Sequence, residues 1–316
     1  MKSYVYSRAP INIALIKYWG KKDEKEVLPY QPSISLSLDV FETHTTIKRI
    51  EGPFEFTING LKDEDMAKQV KHFLKNFTHG NLDKISVATT NSGPTAAGLA
   101  SSASGYAALA TAANAFFETK FTLSKLSEIT RKGSGSAIRS LLPNCVKWDV
   151  DGLIYPIEWS FPKAKMGIII VSDKKKKISS REAMKISILS SPLYDHWVKQ
   201  SFKDAKHFET FNDKHQFREL GELIEQNALL MHQVCETSSP KIQFLTDISY
   251  QIIHHIQDKR KQKTYEAYVT MDAGPNVKVL CLKDDMQTIE KDLKQLGHDI
   301  IWSNIDQKGA VILNEV

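Results

Sequence analysis

The chain has 316 residues, 41% of them hydrophobic and 25% charged, and a net charge of +5 from 42 Lys and Arg against 37 Asp and Glu. That composition is of a globular protein large enough for two ordinary domains. It excludes a membrane protein, because no apolar run approaches the ~18 residues of a bilayer span, and its small, dispersed positive excess suits an anionic small molecule better than a nucleic acid.

Three scattered cysteines (Cys145, Cys235, Cys281) form no CxxC pair, and the Met-Lys-Ser-Tyr start lacks the apolar core of a secretory signal. Both point to a reducing cytoplasm without a disulfide framework. The ten histidines show no metal-ligand spacing, so no protein-held metal is expected.

In chain order, alternation at Ile34, Leu36, Leu38 and Val40 predicts a strand, with further strands at Thr43–Ile50 and Phe54–Ile58 and a turn at Asn59-Gly60. Met66, Val70, Phe73, Leu74 and Phe77 have helical spacing, and Lys84–Thr90 returns to strand. The alanine-rich stretch Tyr106–Phe117 reads as a helix, and Thr122 caps a second one carrying Leu126 and Ile129 inward. Strands follow at Cys145–Val150, Leu153–Glu158 and Met166–Ser172. Two long helices are expected near 213–235 and 240–260, the latter capped by Ser239 with Pro240 at its first position and a stripe running Ile242, Leu245, Ile248, Ile252, Ile256. A strand at Tyr265–Met271, a turn at Ala273–Asn276, a strand at Val277–Leu282, a helix around Met286–Leu296 and strands near His298–Ile305 and Ala310–Asn314 complete the chain. This order gives an α+β architecture of two units, 1–170 and 171–316, with the ligand cleft between them.

Five segments carry the chemistry. Pro94-Thr-Ala-Ala-Gly-Leu-Ala-Ser-Ser-Ala-Ser-Gly105 is almost free of bulky side chains and precedes the alanine-rich helix. Its backbone N–H groups and the positive end of the helix dipole suit a polyphosphate, although small-residue packing would produce the same composition. No Gly-Lys-Ser/Thr triplet makes it a nucleotide-hydrolase P-loop. The segment Asn12–Lys21 holds Lys17 and Lys21 around Tyr18 and Trp19; alone it reads as basic and partly exposed. Gly133-Ser-Gly-Ser136 leads to Arg139, whose guanidinium can grip a carboxylate or phosphate. Ser179-Ser-Arg181 meets a helix start. Met271-Asp-Ala-Gly-Pro-Asn276 puts Asp272 at a strand end, where it is either an ordinary turn residue or a group that orients or deprotonates a hydroxyl. Lys174–Lys177 reads as a solvated loop or as an electrostatic lip beside an anion site.

These five motifs, in this order, resemble the mevalonate diphosphate decarboxylases of the GHMP kinase superfamily over nearly the whole chain, and the bacterial members most closely. The resemblance implies an N-terminal domain like ribosomal S5 domain 2 and a C-terminal ferredoxin-like one. It implies an enzyme that uses ATP and Mg2+ to phosphorylate the C3 hydroxyl of mevalonate 5-diphosphate. Loss of that phosphate with CO2 then gives isopentenyl diphosphate.

It implies catalytic roles for Asp272, Lys17 and Arg139, and substrate contacts from Tyr18, Trp19, Gly20, Lys21, Ser134, Ser136, Arg139 and Arg181. ATP phosphates would lie on Gly98, Leu99, Ala100, Ser101, Ser102 and Ala103. By analogy it also implies a homodimer, although no segment marks an interface. A kinase without decarboxylase activity, a decarboxylase of the monophosphate and a non-catalytic anion-binding module are the competing readings. The combination of Asp272, Lys17 and Arg139 favours the decarboxylase.

Overall fold

The computed structural model describes residues 1–93, 101–174 and 176–316. The chain begins with β1 (Tyr4–Ile16), β2 (Lys21–Asp23), β3 (Leu28–Pro29), β4 (Ser33–Arg49), β5 (Glu55–Ile58) and β6 (Leu61–Lys62). Then come α1 (Glu64–Leu74), β7 (Ile85–Asn91), α2 (Ser101–Phe116), α3 (Leu123–Gly133) and a 3-10 helix at Gly135–Ser140. β8 (Cys145–Trp148), β9 (Ile154–Ile157) and β10 (Ala164–Ile169) lead into α4 (Ser180–Ser190), α5 (Tyr194–Asp213), α6 (Phe217–Glu236) and α7 (Asp247–Lys261). The chain closes with β11 (Ala267–Met271), β12 (Val277–Leu282), α8 (Met286–Gln295), β13 (Ile300–Ser303) and β14 (Val311–Glu315).

Two sheets organise the molecule. The first runs β14-β1-β4-β7-β5-β6, with β8 and β9 added beside β4; the second runs β11-β12-β10-β13. A cut at residue 170 therefore does not describe the sheets. β10 precedes that cut yet lies inside the second sheet, and β14 follows it yet pairs with β1 in the first. Pairing of Arg8 with Asp306 helps tie the returning C-terminal segment to β1.

β1 has no counterpart in the sequence expectation, and the reason is physical. It pairs on both sides and every residue from Ser7 to Ile16 is buried, so it lacks the polar alternation that marks a half-exposed strand. Pro10, a poor residue for a central strand, falls where the β1–β4 register shifts. The strand serves two cores. Val5 and Ala9 pack with α1, α2 and α3, whereas Ile11, Ile13 and Leu15 pack with α5, α6 and the inner face of the second sheet. Its C-terminal end is thereby fixed between the domains.

α7 begins at Asp247 rather than at Pro240. Thr246 and Ser249 cap each other's backbone N–H groups, and the Ile242 N–H turns back to the Cys235 carbonyl, which holds the preceding residues outside the helix. The buried stripe is consequently Ile252, Ile253 and Ile256, and Ile248 is exposed. No helix among the described residues is long and apolar enough to cross a membrane.

Candidate active site

The site forms where the end of β1 meets the β11–β12 turn. Lys17 directly follows β1 and is 1% exposed. Its backbone N–H donates to Asn227 Oδ1 (2.8 Å) on α6, and Asn227 in turn donates to Asp204 on α5 (2.7 Å). Its ammonium donates to the Ala14 carbonyl and to Asp272 Oδ1, both at 2.8 Å. Desolvation lowers the Lys17 pKa to about 8 against the opposing pull of Asp272.

Asp272 follows the last residue of β11 and enters a tight turn in which the Gly274 N–H donates to its carbonyl at 2.7 Å. One carboxylate oxygen meets Lys17; the other lies 3.2 Å from the Lys278 ammonium. Desolvation pushes the Asp272 pKa up, but Lys17 and Lys278 outweigh it and hold the carboxyl below the usual carboxylate range. About a third of this side chain remains exposed (33%), so Asp272 is the most accessible member of the cluster it forms with Lys17 and Lys278.

Arg139 lies in the 3-10 helix and is 2% exposed. Its guanidinium donates to Ser33 Oγ (2.5 Å) and Asn12 Oδ1 (3.4 Å), leaving Nε without a partner. Burial lowers its pKa to about 10, and Asp272 and Tyr18 are close enough to pull it back up. The Tyr18 ring packs on Trp148 (4.7 Å between centroids), and its buried hydroxyl has no partner. A buried guanidinium N–H and a buried phenol without partners are what a polar ligand would satisfy.

Lys21 is buried, with its ammonium 3.3 Å from Glu24. Desolvation and then the nearby positive charge of Arg181 depress its pKa. Arg181 is exposed in the first turn of α4, behind the capping residue Ser179. The two cations are close enough for Arg181 to act on Lys21 electrostatically.

The small-residue segments meet at their ends. Ser102 Oγ at the start of α2 lies 3.4 Å from Ser134 Oγ, which lies 3.4 Å from Ser136 Oγ. Ala103 is buried. Gly98, Leu99 and Ala100 lie outside the described residues, as does the side chain of Ser101.

Two expected contact residues sit in the framework. Trp19 is 2% exposed, edge-on to Phe244, and its carbonyl accepts from Gln31 and Tyr194. Gly20 has φ +119°, and a Cβ there would meet the Tyr194 hydroxyl at 1.8 Å. Trp19 packs and Gly20 permits a close approach that any side chain would block.

The expectation of a basic, partly exposed segment at Lys17 fails because that segment is the buried seam between domains. The Lys174–Lys177 run is partly inward-facing: Lys176 is half-buried, donates to Ser180 Oγ (3.0 Å) and stands 6.0 Å over the Phe244 ring. Lys175 is outside the described residues.

Two neighbours were not identified from sequence. Lys278 left one signal, a lysine inside the otherwise apolar strand Val-Lys-Val-Leu-Cys-Leu. His232 on α6 left none. It is 2% exposed beside the Met271 backbone, and desolvation followed by the charge of Lys17 lowers its pKa to about 3, keeping it neutral.

Comparison with known proteins identifies the family. Residues 9–153 match a family described as the diphosphomevalonate decarboxylase-like N-terminal domain, and residues 166–308 match the mevalonate 5-diphosphate decarboxylase C-terminal domain. A diphosphomevalonate decarboxylase from Candida albicans is 36% identical over 93% of this chain and 89% of its own length. The crystal structure of mevalonate diphosphate decarboxylase from Staphylococcus aureus superposes with a TM-score of 0.92 at 34% identity, covering 99% of both chains. A structure described as "MDDEF in complex with MVAPP, AMPPCP and Magnesium" superposes at 0.90 with 34% identity and complete coverage of both. The fungal sequence is as similar as the bacterial one, so sequence identity does not single out the bacterial members. With both domain profiles matched in tandem and a relative aligned over nearly the whole chain, this protein belongs to the diphosphomevalonate decarboxylase family, with its two-domain α+β GHMP-kinase-like fold.

Proposed function

We propose that the chain is an ATP- and Mg2+-dependent decarboxylase that converts mevalonate 5-diphosphate to isopentenyl diphosphate, ADP, phosphate and CO2 in the mevalonate pathway. The observation that carries this reading is the Lys17–Asp272 ion pair at the domain seam, beside an Arg139 guanidinium with a spare donor. Magnesium-bound ATP supplies the phosphoryl group. The Asp272 carboxylate accepts the hydrogen of the C3 hydroxyl and aims its oxygen. Lys17 balances negative charge as the phosphoryl group arrives, in a reaction that depends on positioning and charge. Arg139 holds the substrate carboxylate, and Tyr18, Lys21, Ser134, Ser136 and Arg181 take the substrate and its diphosphate. Phosphorylation makes the C3 oxygen a good leaving group, so its departure creates electron demand at C3 that the C–CO2 bond electrons fill.

The 98–103 segment takes the nucleotide phosphates at the start of α2. Ser102, whose hydroxyl lies 3.4 Å from that of Ser134 on the substrate side, would meet the magnesium–nucleotide with an oxygen donor of the kind magnesium accepts. We read the first sheet as S5 domain 2-like and the second as ferredoxin-like. We assign the chain to the compact, bacterial type, a reading supported by the TM-score of 0.92 with the Staphylococcus aureus enzyme. Three buried free cysteines are in keeping with a cytoplasmic location.

The direct test supplies the protein with ATP, Mg2+ and either the diphosphate or the monophosphate of mevalonate, following CO2 and ADP. Equimolar CO2 and ADP from the diphosphate, abolished by EDTA, is the expected result. ADP without CO2 identifies a kinase, preference for the monophosphate moves the substrate assignment, and neither product rejects an enzyme of this class. In the same assay Arg139→Ala should cost ~1.5–3 kcal/mol in kcat/KM, the scale of a charged hydrogen bond. An unchanged kcat/KM would remove Arg139 from the carboxylate contact.

A further inference from the structure

β12 carries one charged residue. Lys278 lies between Val277 and Val279 and is 3% exposed. It pairs with Thr270 of β11 and Ile168 of β10, which turns it toward the face of the second sheet that abuts the end of β1. On that face the Thr270 hydroxyl donates to the Ala14 carbonyl at 3.3 Å, the carbonyl that also receives the Lys17 ammonium. An unpaired ammonium in such a place is strongly disfavoured. Lys278 has two partners, Asp272 Oδ2 at 3.2 Å and the Asn276 carbonyl at 3.3 Å.

Stability alone does not account for this lysine. Asp272 already has a full partner in Lys17, and an apolar residue on a buried strand commonly serves a fold as well as an ion pair does. A second lysine achieves what one cannot. Lys17 on Oδ1 and Lys278 on Oδ2 hold the carboxylate at both ends, so its plane is set. The three side chains also sum to one net positive charge at the place where the phosphoryl group brings negative charge.

We propose that Lys278 is a positioning residue of the reaction, fixing the plane of the Asp272 carboxylate against the C3 hydroxyl and supplying the second positive charge of a lysine–aspartate–lysine clamp. This rests on the decarboxylase reading above, and the wild-type assay separates the two: an inactive wild type defeats that reading, whereas an active wild type with an indifferent variant defeats only the clamp.

The test compares wild type, Lys278→Met and Lys278→Arg for kcat, for KM of both substrates and for binding of mevalonate 5-diphosphate by calorimetry. Lys278→Met should lose about 10- to 100-fold in kcat while KM and binding move less than about threefold, because the clamp acts when charge is transferred. Lys278→Arg, which keeps the cation, should recover part of that loss. A folded Lys278→Met with kcat within about threefold of wild type overturns the proposal. So does a loss fully accounted for by a smaller folded fraction, or one that lies in KM alone. Should the methionine variant fail to fold, Lys278→Gln keeps a donor without the charge and is held to the same kcat and KM criteria.

Discussion

Asp272→Asn should lower kcat by ~10²–10⁴, the range for a positioned acid–base group, with ADP and CO2 falling together. The substitution keeps the size of the side chain and removes only its charge and half of its accepting capacity. Two consequences follow from the clamp. The hydroxyl of the substrate loses the anionic acceptor that aims it. Lys17 and Lys278 are also left facing each other without the carboxylate between them, and Lys17 loses the partner that offsets its desolvation. Its pKa then falls below about 8 and a smaller fraction stays charged at neutral pH.

The same geometry narrows the role of the aspartate. A carboxyl held below its usual range by two ammonium groups is a weak base in the ground state. Its work is to orient the hydroxyl and to take the proton late, as the new O–P bond makes that hydroxyl acidic. Single-turnover quench-flow, following ADP and CO2 in the same samples, is the measurement. A variant that retains kcat within about threefold removes the carboxylate from the mechanism. A variant that makes ADP normally but not CO2 moves Asp272 from phosphoryl transfer to the later step.

What the sequence discloses of this site depends on how each residue satisfies its surroundings. Asp272, Arg139 and the small-residue loop stand in motifs whose composition is locally unusual. Their chemistry can therefore be named from residue order alone, and Lys17 can be placed beside them through the resemblance. The burial of Lys17 could not be read, because it comes from β1 running between two cores, and a strand buried on both faces resembles any apolar segment.

Lys278 is hidden for the opposite reason. Its only signal is a single charge in an apolar strand, and its partner lies across a turn. α5 shows no clean apolar periodicity because its buried stripe includes the polar residues Ser201, Asp204 and Asn212 among Tyr194, Trp197, Ala205 and Phe208. Asp204 and Asn212 are buried because they are hydrogen-bonded, to Asn227 and to the Glu158 carbonyl. The false start of α7 at Pro240 shows a good cap sequence losing to a better one seven residues on, where Thr246 and Ser249 satisfy each other. Residue order names the chemistry of a distinctive motif, but it does not show which of two local arrangements wins or which charges become buried.

Replacing Lys17 tests that seam most directly. Lys17→Met should lose ~10²–10³ in kcat, the scale of removing one preorganised donor from a site where charge develops, and the pH profile should identify the cause. The ammonium of the free enzyme titrates at about 8. The protonated form is the active one, so kcat/KM, which reports the free enzyme, should fall as pH rises through that value. The groups facing Lys17 are Asp272, Lys278, Arg139 and the neutral His232. Burial lowers Arg139 only to about 10, and Asp272 is ionised throughout, so neither produces a limb near 8. Lys17→Arg supplies a cation that does not lose its proton in this range. Its kcat/KM will be lower, since a guanidinium cannot reproduce both 2.8 Å contacts of the ammonium. Its profile should nevertheless stay level through pH 9, where that of the wild type has dropped. A basic limb that persists unchanged in Lys17→Arg would assign the titration to another group and leave Lys17 as a structural cation of the domain seam.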